Sequence, residues 1–202
     1  MNKEQKIAAH RALIDELIDK ETDILKEIIS EINDYYDEEI DEEELLSTIV
    51  ELMYISLKQS YKMTLKQLNA IYKIKISIPK KVSNKEIDKY TYSKDNFTLY
   101  DRVKQYIDKA KNEEITELIL KFYMARILDN ETLVVIHKLM KDKLKEQKIE
   151  YAMVVKGGGC DRDCCNVVEE WKPIDEIEEP PYHPNCTCEI IFSDPEEDDE
   201  EL

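Results

Sequence analysis

Two clusters of side chains that can bind a soft metal ion lie in the last quarter of the chain. The first contains Cys160, Cys164 and Cys165, and the second, about 20 residues later, contains His183, Cys186 and Cys188. Thiolate and imidazole groups suit Zn²⁺, which takes four of them in a tetrahedron. Ligands from both clusters would close a loop that is too small to build its own core, so metal binding would contribute folding free energy. We therefore predict a structural zinc site.

Six candidate ligands compete for four positions in such a site. The gap of three residues in the first cluster and of two in the second fits zinc knuckles, so our first choice is Cys160, Cys164, His183 and Cys186. The reserves are Cys165, which is adjacent to Cys164, and Cys188, which follows Cys186 after one residue.

Disulfides, free buried thiols and a catalytic thiol are the alternatives. The N-terminal segment carries acids throughout and no apolar stretch, so we expect no secretory signal and a reducing compartment that disfavours disulfides. Cys186 near His183 suggests a nucleophile and base, but the sequence offers no third group to orient them. Zinc remains the favoured interpretation.

Composition excludes most familiar enzyme signatures. The three glycines, Gly157 to Gly159, are consecutive, so they form neither a P-loop nor a dinucleotide-binding fingerprint. With only His10, His137 and His183, a multi-histidine catalytic metal site is not expected. We therefore predict a protein that is not an enzyme.

The charge of the chain is unevenly distributed. The 202 residues include 46 acidic and 29 basic side chains, a net charge of -17. Residues 31–44 and 174–202 carry acids and no lysine or arginine, whereas residues 52–148 are basic overall. The acidic blocks are solvated faces and a tail, or they dock on basic patches of a neighbouring subunit. The lysines form no dense cluster, so nucleic acid is not expected as a specific partner, and no apolar run is long enough for a membrane span.

Apolar residues recur at helical spacing before residue 149. They predict helices over 5–33, 42–60, 63–75, 99–110, 115–123 and 130–147. Asp37 or Asp41 would cap the second helix, and residues 79–97 would form a loop. The alternating stretch before Pro79 could turn into a strand.

Short β-prone runs flank the cysteine clusters at Tyr151–Val155 and Glu189–Phe192. We expect Trp171 and Phe192 to form an apolar lid over the metal site.

Three further expectations concern polar side chains. We expect His10 to be solvated and His137 to be packed in a helix. Asp101, Arg102 and Glu131 could form a polar network or ordinary surface ion pairs.

The predicted fold class is mainly α, a helical body followed by a small cysteine- and histidine-rich α+β module with short strands. The expected divisions are an N-terminal helical region, a loop or linker, a second helical part, the Cys/His module and a disordered acidic tail, at 1–78, 79–98, 99–148, 149–192 and 193–202.

The string PPYHPNCTC at 180–188 resembles the closing motif of the phage head-morphogenesis proteins, also called minor head or minor capsid proteins. In that family a cysteine pair precedes an acidic and aromatic stretch, and Pro-x-His-Pro-Asn-Cys-x-Cys closes the domain. Cys160 with Cys164 or Cys165 matches the first pair. The closing motif matches Pro181, His183, Pro184, Asn185, Cys186 and Cys188.

Two upstream segments extend the resemblance to roughly residues 95–192. LYDRVKQYID at 99–108 is similar to a family segment around an arginine, here Arg102, and Asn130–Thr132 corresponds to an Arg-Thr-Glu element that here lacks its arginine. The gap in the first cysteine pair is also longer than the family's two residues, and Thr187 stands where the family commonly has arginine.

The resemblance implies a structural protein of the virion, present in few copies and located in the host cytoplasm during assembly. Its partners would be the portal protein, the major capsid protein or both, and a homo-oligomer is a further candidate. A membrane partner is not implied. The alternatives are a zinc-dependent enzyme, a host-directed protein of phage origin, and a helical adaptor.

Overall fold

A computed structural model describes residues 2–91, 97–157, 169–181, 186 and 188–193. This part of the chain is mainly helical and ends in a small antiparallel sheet, which confirms the predicted fold class. The helices are α1 (Lys3–Tyr36), α2 (Glu42–Ile71), α3 (Asn84–Asp88), α4 (Leu99–Lys111) and α5 (Glu117–Glu146). The strands are β1 (Tyr151–Val155), β2 (Lys172–Pro173) and β3 (Glu189–Ser193), and the 3₁₀ turn Ile174–Glu176 follows β2.

Side-chain caps fix where the helices begin. Asp41 caps α2 by accepting a hydrogen bond of 2.9 Å from the backbone N–H of Glu44, as one of the two predicted caps. Acidic residues at 42–44 fill the first turn of α2, where they interact favourably with the helix dipole. Thr98 and Asp101 form a capping box at the start of α4.

The predicted break between helices 42–60 and 63–75 is wrong, because α2 runs without interruption to Ile71. The polar residues that suggested an end are accommodated inside the helix. Ser60 donates to the carbonyl of Ser56 at 3.1 Å, and Thr64 donates to the carbonyl of Ser60 at 2.8 Å. Each buried hydroxyl is thus satisfied one turn back, and burial of the flanking apolar residues keeps the helix continuous.

The predicted division into helices 115–123 and 130–147 is also wrong, since α5 spans both. Asp129 and Asn130 resemble the start of a new helix, but the following residues Glu131 and Thr132 are buried and bonded to other helices. Tertiary contacts therefore keep this stretch helical despite its weak local propensity.

The stretch before Pro79 forms no strand, but its alternating apolar residues still pack against the core. Ile74 and Ile76 pack against the core, and the side-chain amide of Asn69 takes the place of a neighbouring strand. Its Nδ2 donates to the carbonyl of Ile76 at 2.9 Å, and its Oδ1 accepts from the N–H of Ile76 at 2.7 Å. The predicted loop 79–97 contains the short helix α3, capped by Ser83.

The three long helices pack together, and the sheet joins their core. α2 packs against both α1 and α5, which also contact each other, while β3 contacts α1 and α5. The main hydrophobic core includes Ile32, Leu57 and Val135 from the helices, together with Ile190 and Phe192 from β3. The helices and the sheet therefore share one apolar core.

The sheet has the order β2-β1-β3, and its alternation distributes side chains to two faces. In the register Met153↔Ile191, both residues face a second cluster that also contains Trp171. Phe192, one residue later, is fully buried in the main core. The expectation that Trp171 and Phe192 form one lid is therefore wrong, because they pack on opposite faces of the sheet. β3 also continues to Ser193, the first residue of the predicted tail, whereas residues 194–202 lie outside the described residues.

Candidate functional site

The described part of the predicted zinc site consists of two cysteines. Cys186 and Cys188 are buried against the main core immediately before β3. The other four predicted ligands lie outside the described residues, namely Cys160, Cys164, Cys165 and His183. Among the residues that the structure describes, no group of three or more histidine, cysteine, aspartate or glutamate side chains could hold a metal ion. The ligand set therefore stays a prediction.

A cavity of about 440 Å³ lies beside these cysteines, between α1, α5 and the start of β3. Isoleucine and leucine side chains form much of its wall, contributed by Ile14, Ile18, Leu133 and Ile136. Four carboxylic acids and two arginines also line it, contributed by Asp15, Glu21, Asp129, Glu189, Arg11 and Arg126. The cavity thus combines an apolar wall with an excess of acids.

Glu189 connects the first residue of β3 to α1. The Nε of Arg11 donates to Oε1 of Glu189 at 2.7 Å. Burial raises the pKa of the Glu189 carboxyl, and the Arg11 hydrogen bond and charge oppose that shift. The second oxygen, Oε2, is buried without a hydrogen-bond partner among the described residues. The Glu189 carboxyl therefore has a buried acceptor with unused capacity.

Glu21 is a second buried acid at the cavity, and it lies where the three long helices meet. The hydroxyl of Thr132 on α5 donates to Oε1 of Glu21, and Ser56 on α2 forms a further hydrogen bond with the same carboxyl. Burial raises the pKa of Glu21 to about 8, and the Asp129 carboxylate adds to the rise. Glu21 is therefore largely protonated at neutral pH, which removes the cost of burying a charge.

An ion pair joins α4 to α5 in the interior. Nη1 of Arg102 donates to Oε1 of Glu131, with side-chain exposures of 15% and 0%. This pair contains two of the three residues proposed as a polar network, and its burial distinguishes it from a surface ion pair. The third residue, Asp101, caps α4 through Thr98 instead.

Two buried histidines lie near the sheet. Nε2 of His10 is 3.0 Å from the Tyr72 hydroxyl, and that hydroxyl accepts from the backbone N–H of Phe192 at 3.1 Å. Burial, together with the nearby His137 and Lys6, lowers the pKa of His10 to about 3. The expectation that His10 is solvated is therefore wrong, because α1 turns this face towards β3.

His137 belongs to α5 and its side chain is buried, as predicted. Its Nδ1 lies 2.8 Å from the carbonyl oxygen of Pro180, which can only accept, so Nδ1 carries the proton. Burial lowers the pKa of His137 to about 4, against the effect of this hydrogen bond and of Glu179. Both histidines are accordingly neutral at physiological pH.

Glu21 could have been found from its position in the sequence. It occupies the apolar stripe of α1 between Leu17 and Ile24, where a charged residue interrupts the helical spacing. Such a residue requires a partner on the opposite helix. Glu189 gives no comparable signal, because charged residues also occur on the solvent side of short strands.

The fold and the site define a helical protein with a small antiparallel sheet, in which two buried cysteines adjoin an acid-rich cavity. The chain matches no protein-family model, no curated protein sequence and no solved structure. Within its described part, no helix combines the length and apolar character required to cross a membrane.

Proposed function

We propose that this chain is a minor head protein of a phage, a structural component that takes part in head assembly near the portal or inner capsid. The observation that carries the proposal is the Pro-x-His-Pro-Asn-Cys-x-Cys motif at 181–188, which ends directly before β3. Its described cysteines, Cys186 and Cys188, are buried against the core, as expected of a motif that serves the fold.

A second observation supports the proposal. The two upstream segments that extend the resemblance are distant in sequence, yet they contribute the two partners of the Arg102–Glu131 ion pair. A pair of this kind connects the two segments, because the Glu131 carboxyl is fully buried on α5 and the Arg102 guanidinium on α4 donates to it. The segments therefore belong to one structural unit.

A structural zinc ion is part of the same proposal. Cys186 and Cys188 are candidate ligands, because thiolates suit Zn²⁺ and both cysteines belong to the closing motif. Further ligands would come from Cys160, Cys164, Cys165 and His183. The ion would connect the closing motif before β3 to the first cysteine cluster. All of its ligands would then hold the metal, so its role would be structural and not catalytic.

The test is mass spectrometry of gradient-purified phage particles from the source strain, together with partially assembled heads. We expect the chain in both fractions at low copy beside portal and coat proteins. A phage carrying Cys186→Ser and Cys188→Ser should yield fewer mature heads, whereas Ile55→Ser, on the exposed side of α2, should not.

The proposal fails if the chain is abundant in the lysate but missing from both particles and partially assembled heads. That result would favour a host-directed protein or a helical adaptor, and enzymatic assays would then be required.

A further inference from the structure

α1 and α5 present an apolar surface that no described element covers. Ile18 and Ile29 of α1 are 51% and 39% exposed, and Leu118 and Phe122 of α5 are 76% and 54% exposed. Ile18 and Ile29 are 11 positions apart, which is about three helical turns, so they lie on the same side of α1. Large exposed apolar groups that share one face mark an interaction site more than scattered ones do.

The exposed residues of the two helices lie on adjoining faces. Lys121 bonds to Asn33 at one end of the pair and Thr132 bonds to Glu21 further along, so α1 and α5 run antiparallel. Asp129, which follows Leu118 by 11 positions, lines the cavity together with Ile18. The guanidinium of Arg126, another cavity residue, lies over the Phe122 ring at 5.2 Å from its centroid. The exposed apolar residues and the cavity therefore form one continuous surface.

The shape of this α1–α5 surface fits a helix. It extends from Leu118 to Ile136, a separation of 18 positions and roughly 27 Å of helix axis. The gap between two antiparallel helices accepts the side-chain ridges of another helix, and an amphipathic helix can bury its apolar face there. A partner helix of about five turns would cover the surface and insert side chains into the cavity.

The charge of the surface selects a basic partner. Because Glu21 is largely protonated, the charged groups at the cavity are three carboxylates and two arginines. Arg11 is already paired with Glu189, so Asp15 and Asp129 remain against Arg126. The whole chain carries a net charge of -17, which also attracts a basic segment. A second copy of this chain would bring a further net charge of -17, which opposes self-association.

We propose that the α1–α5 surface docks an amphipathic helix of a partner protein whose apolar stripe is flanked by lysine or arginine. The inference stands on the geometry and charge of two helices, and it holds whether or not the chain acts in head assembly.

The test measures binding of labelled synthetic peptides of about 18 residues to the full chain by fluorescence anisotropy. The first peptide has leucine at helical spacing and lysine elsewhere. The second is a scramble of the same composition, and the third has glutamate in place of lysine. We expect the first peptide to bind and the other two to bind at least about tenfold more weakly, since both the stripe and the charge are required.

Matched variants locate the binding site. Ile18→Ser with Phe122→Ser should weaken binding of the lysine peptide at least about tenfold, whereas Ile55→Ser on α2 should leave it unchanged. All three residues are at least one-third exposed, so these variants should keep the helical circular dichroism spectrum and melting temperature of the parent.

Four results would overturn the proposal. The lysine peptide does not bind, the scrambled or glutamate peptide binds as tightly, or Ile55→Ser weakens binding as much as the double variant does. The fourth is a stable dimer in sedimentation analysis that Ile18→Ser with Phe122→Ser abolishes, because a second copy would then be the occupant.

Discussion

The hydroxyl of Thr132 on α5 donates a hydrogen bond to the carboxyl of Glu21 on α1, and both side chains are buried. Ser56 of α2 bonds to the same carboxyl, so one acid contacts all three long helices. This contact fixes the register of α1 against α5 at the cavity, because a buried polar group that loses its partner costs about 1 to 3 kcal/mol.

Glu21→Gln should make stability less dependent on pH. Glu21 titrates at about 8 in the folded chain and at 4.5 when unperturbed, so the folded state holds more protons between these values. Stability from Glu21 is therefore present below pH 4.5 and is lost as the pH rises towards 8. Chemical unfolding at pH 5 and pH 8.5, on either side of most of this window, measures the effect.

Between pH 5 and pH 8.5 the parent should lose more unfolding free energy than Glu21→Gln does. The expected difference between the two losses is at least about 1.4 kcal/mol, the equivalent of one pKa unit. Glu16→Gln on the exposed side of α1 is the control and should follow the parent. Parallel stability curves for the parent and Glu21→Gln would contradict the assignment of a protonated Glu21.

His10→Gln should reduce acid sensitivity. The folded pKa of His10 is about 3, against 6.5 when unperturbed, so the unfolded state binds the extra proton in this interval. Stability from neutral His10 is present above pH 6.5 and is lost as the pH falls towards 3. Glutamine keeps a polar contact for Tyr72 but does not titrate.

The measurement is the difference in unfolding free energy between His10→Gln and the parent as the pH falls from 7 to 4. The parent should lose up to about 1.4 kcal/mol more per pH unit for this one proton. His183→Gln at the predicted metal site is unsuitable as a control, so Lys3→Gln at the exposed start of α1 serves instead. If the difference in unfolding free energy between the two chains does not change with pH, His10 has the same pKa in the folded and unfolded states.

Removing either partner of the Arg102–Glu131 pair should destabilise the chain strongly. Arg102→Met leaves Glu131 as a fully buried carboxylate, for which the expected cost is about 3 to 5 kcal/mol. Adding Glu131→Met should recover part of that loss, since the buried carboxylate is then removed as well. Urea unfolding of the two single variants and the double variant gives the coupling energy.

Lys104→Met is the matched control, because Lys104 and Asp108 form an exposed pair on the same helix. Its expected cost is far smaller than that of Arg102→Met, because exposed ion pairs contribute little to stability. Additive losses for Arg102→Met and Glu131→Met would show that the two side chains do not interact.

A four-ligand zinc site predicts which fraction of the ligand variants lose zinc binding. Under reducing conditions we expect one zinc ion per chain, measured by native mass spectrometry. Substituting serine for each of the five cysteines in turn, and alanine for His183, should abolish binding in four variants and preserve it in two, because a closed site takes four ligands. A chain without zinc, or six variants that all retain it, would contradict the prediction.

The sequence by itself determined the helical class, most element boundaries and both principal strands. The β-prone composition of Tyr151–Val155 and Glu189–Phe192 was sufficient, because each run consists largely of β-branched and other apolar residues and is buried on both faces. Asp41 and Thr98 begin helices for a local reason, since each side chain accepts a backbone N–H within its own first turn.

The sequence did not determine where the long helices continue. Ser60, Asp129 and Asn130 have weak helical propensity, so local spacing suggested breaks near them. Burial of Thr64, Glu131 and Thr132, each with a hydrogen-bond partner, outweighs that preference. The partners of Glu131 and Thr132 are distant in sequence, so no local pattern contains them.

Only the tertiary structure decided the environments of the polar residues and the location of the cavity. His10 was expected in solvent and Trp171 beside Phe192, yet packing of α1 on β3 buries His10, and the sheet separates the two aromatic rings. The pairing of Glu189 with Arg11 likewise depends on where β3 lies against α1. The physical reason is that helical period and strand alternation specify which face of an element is buried, whereas the neighbour that buries it is selected by packing of the whole chain.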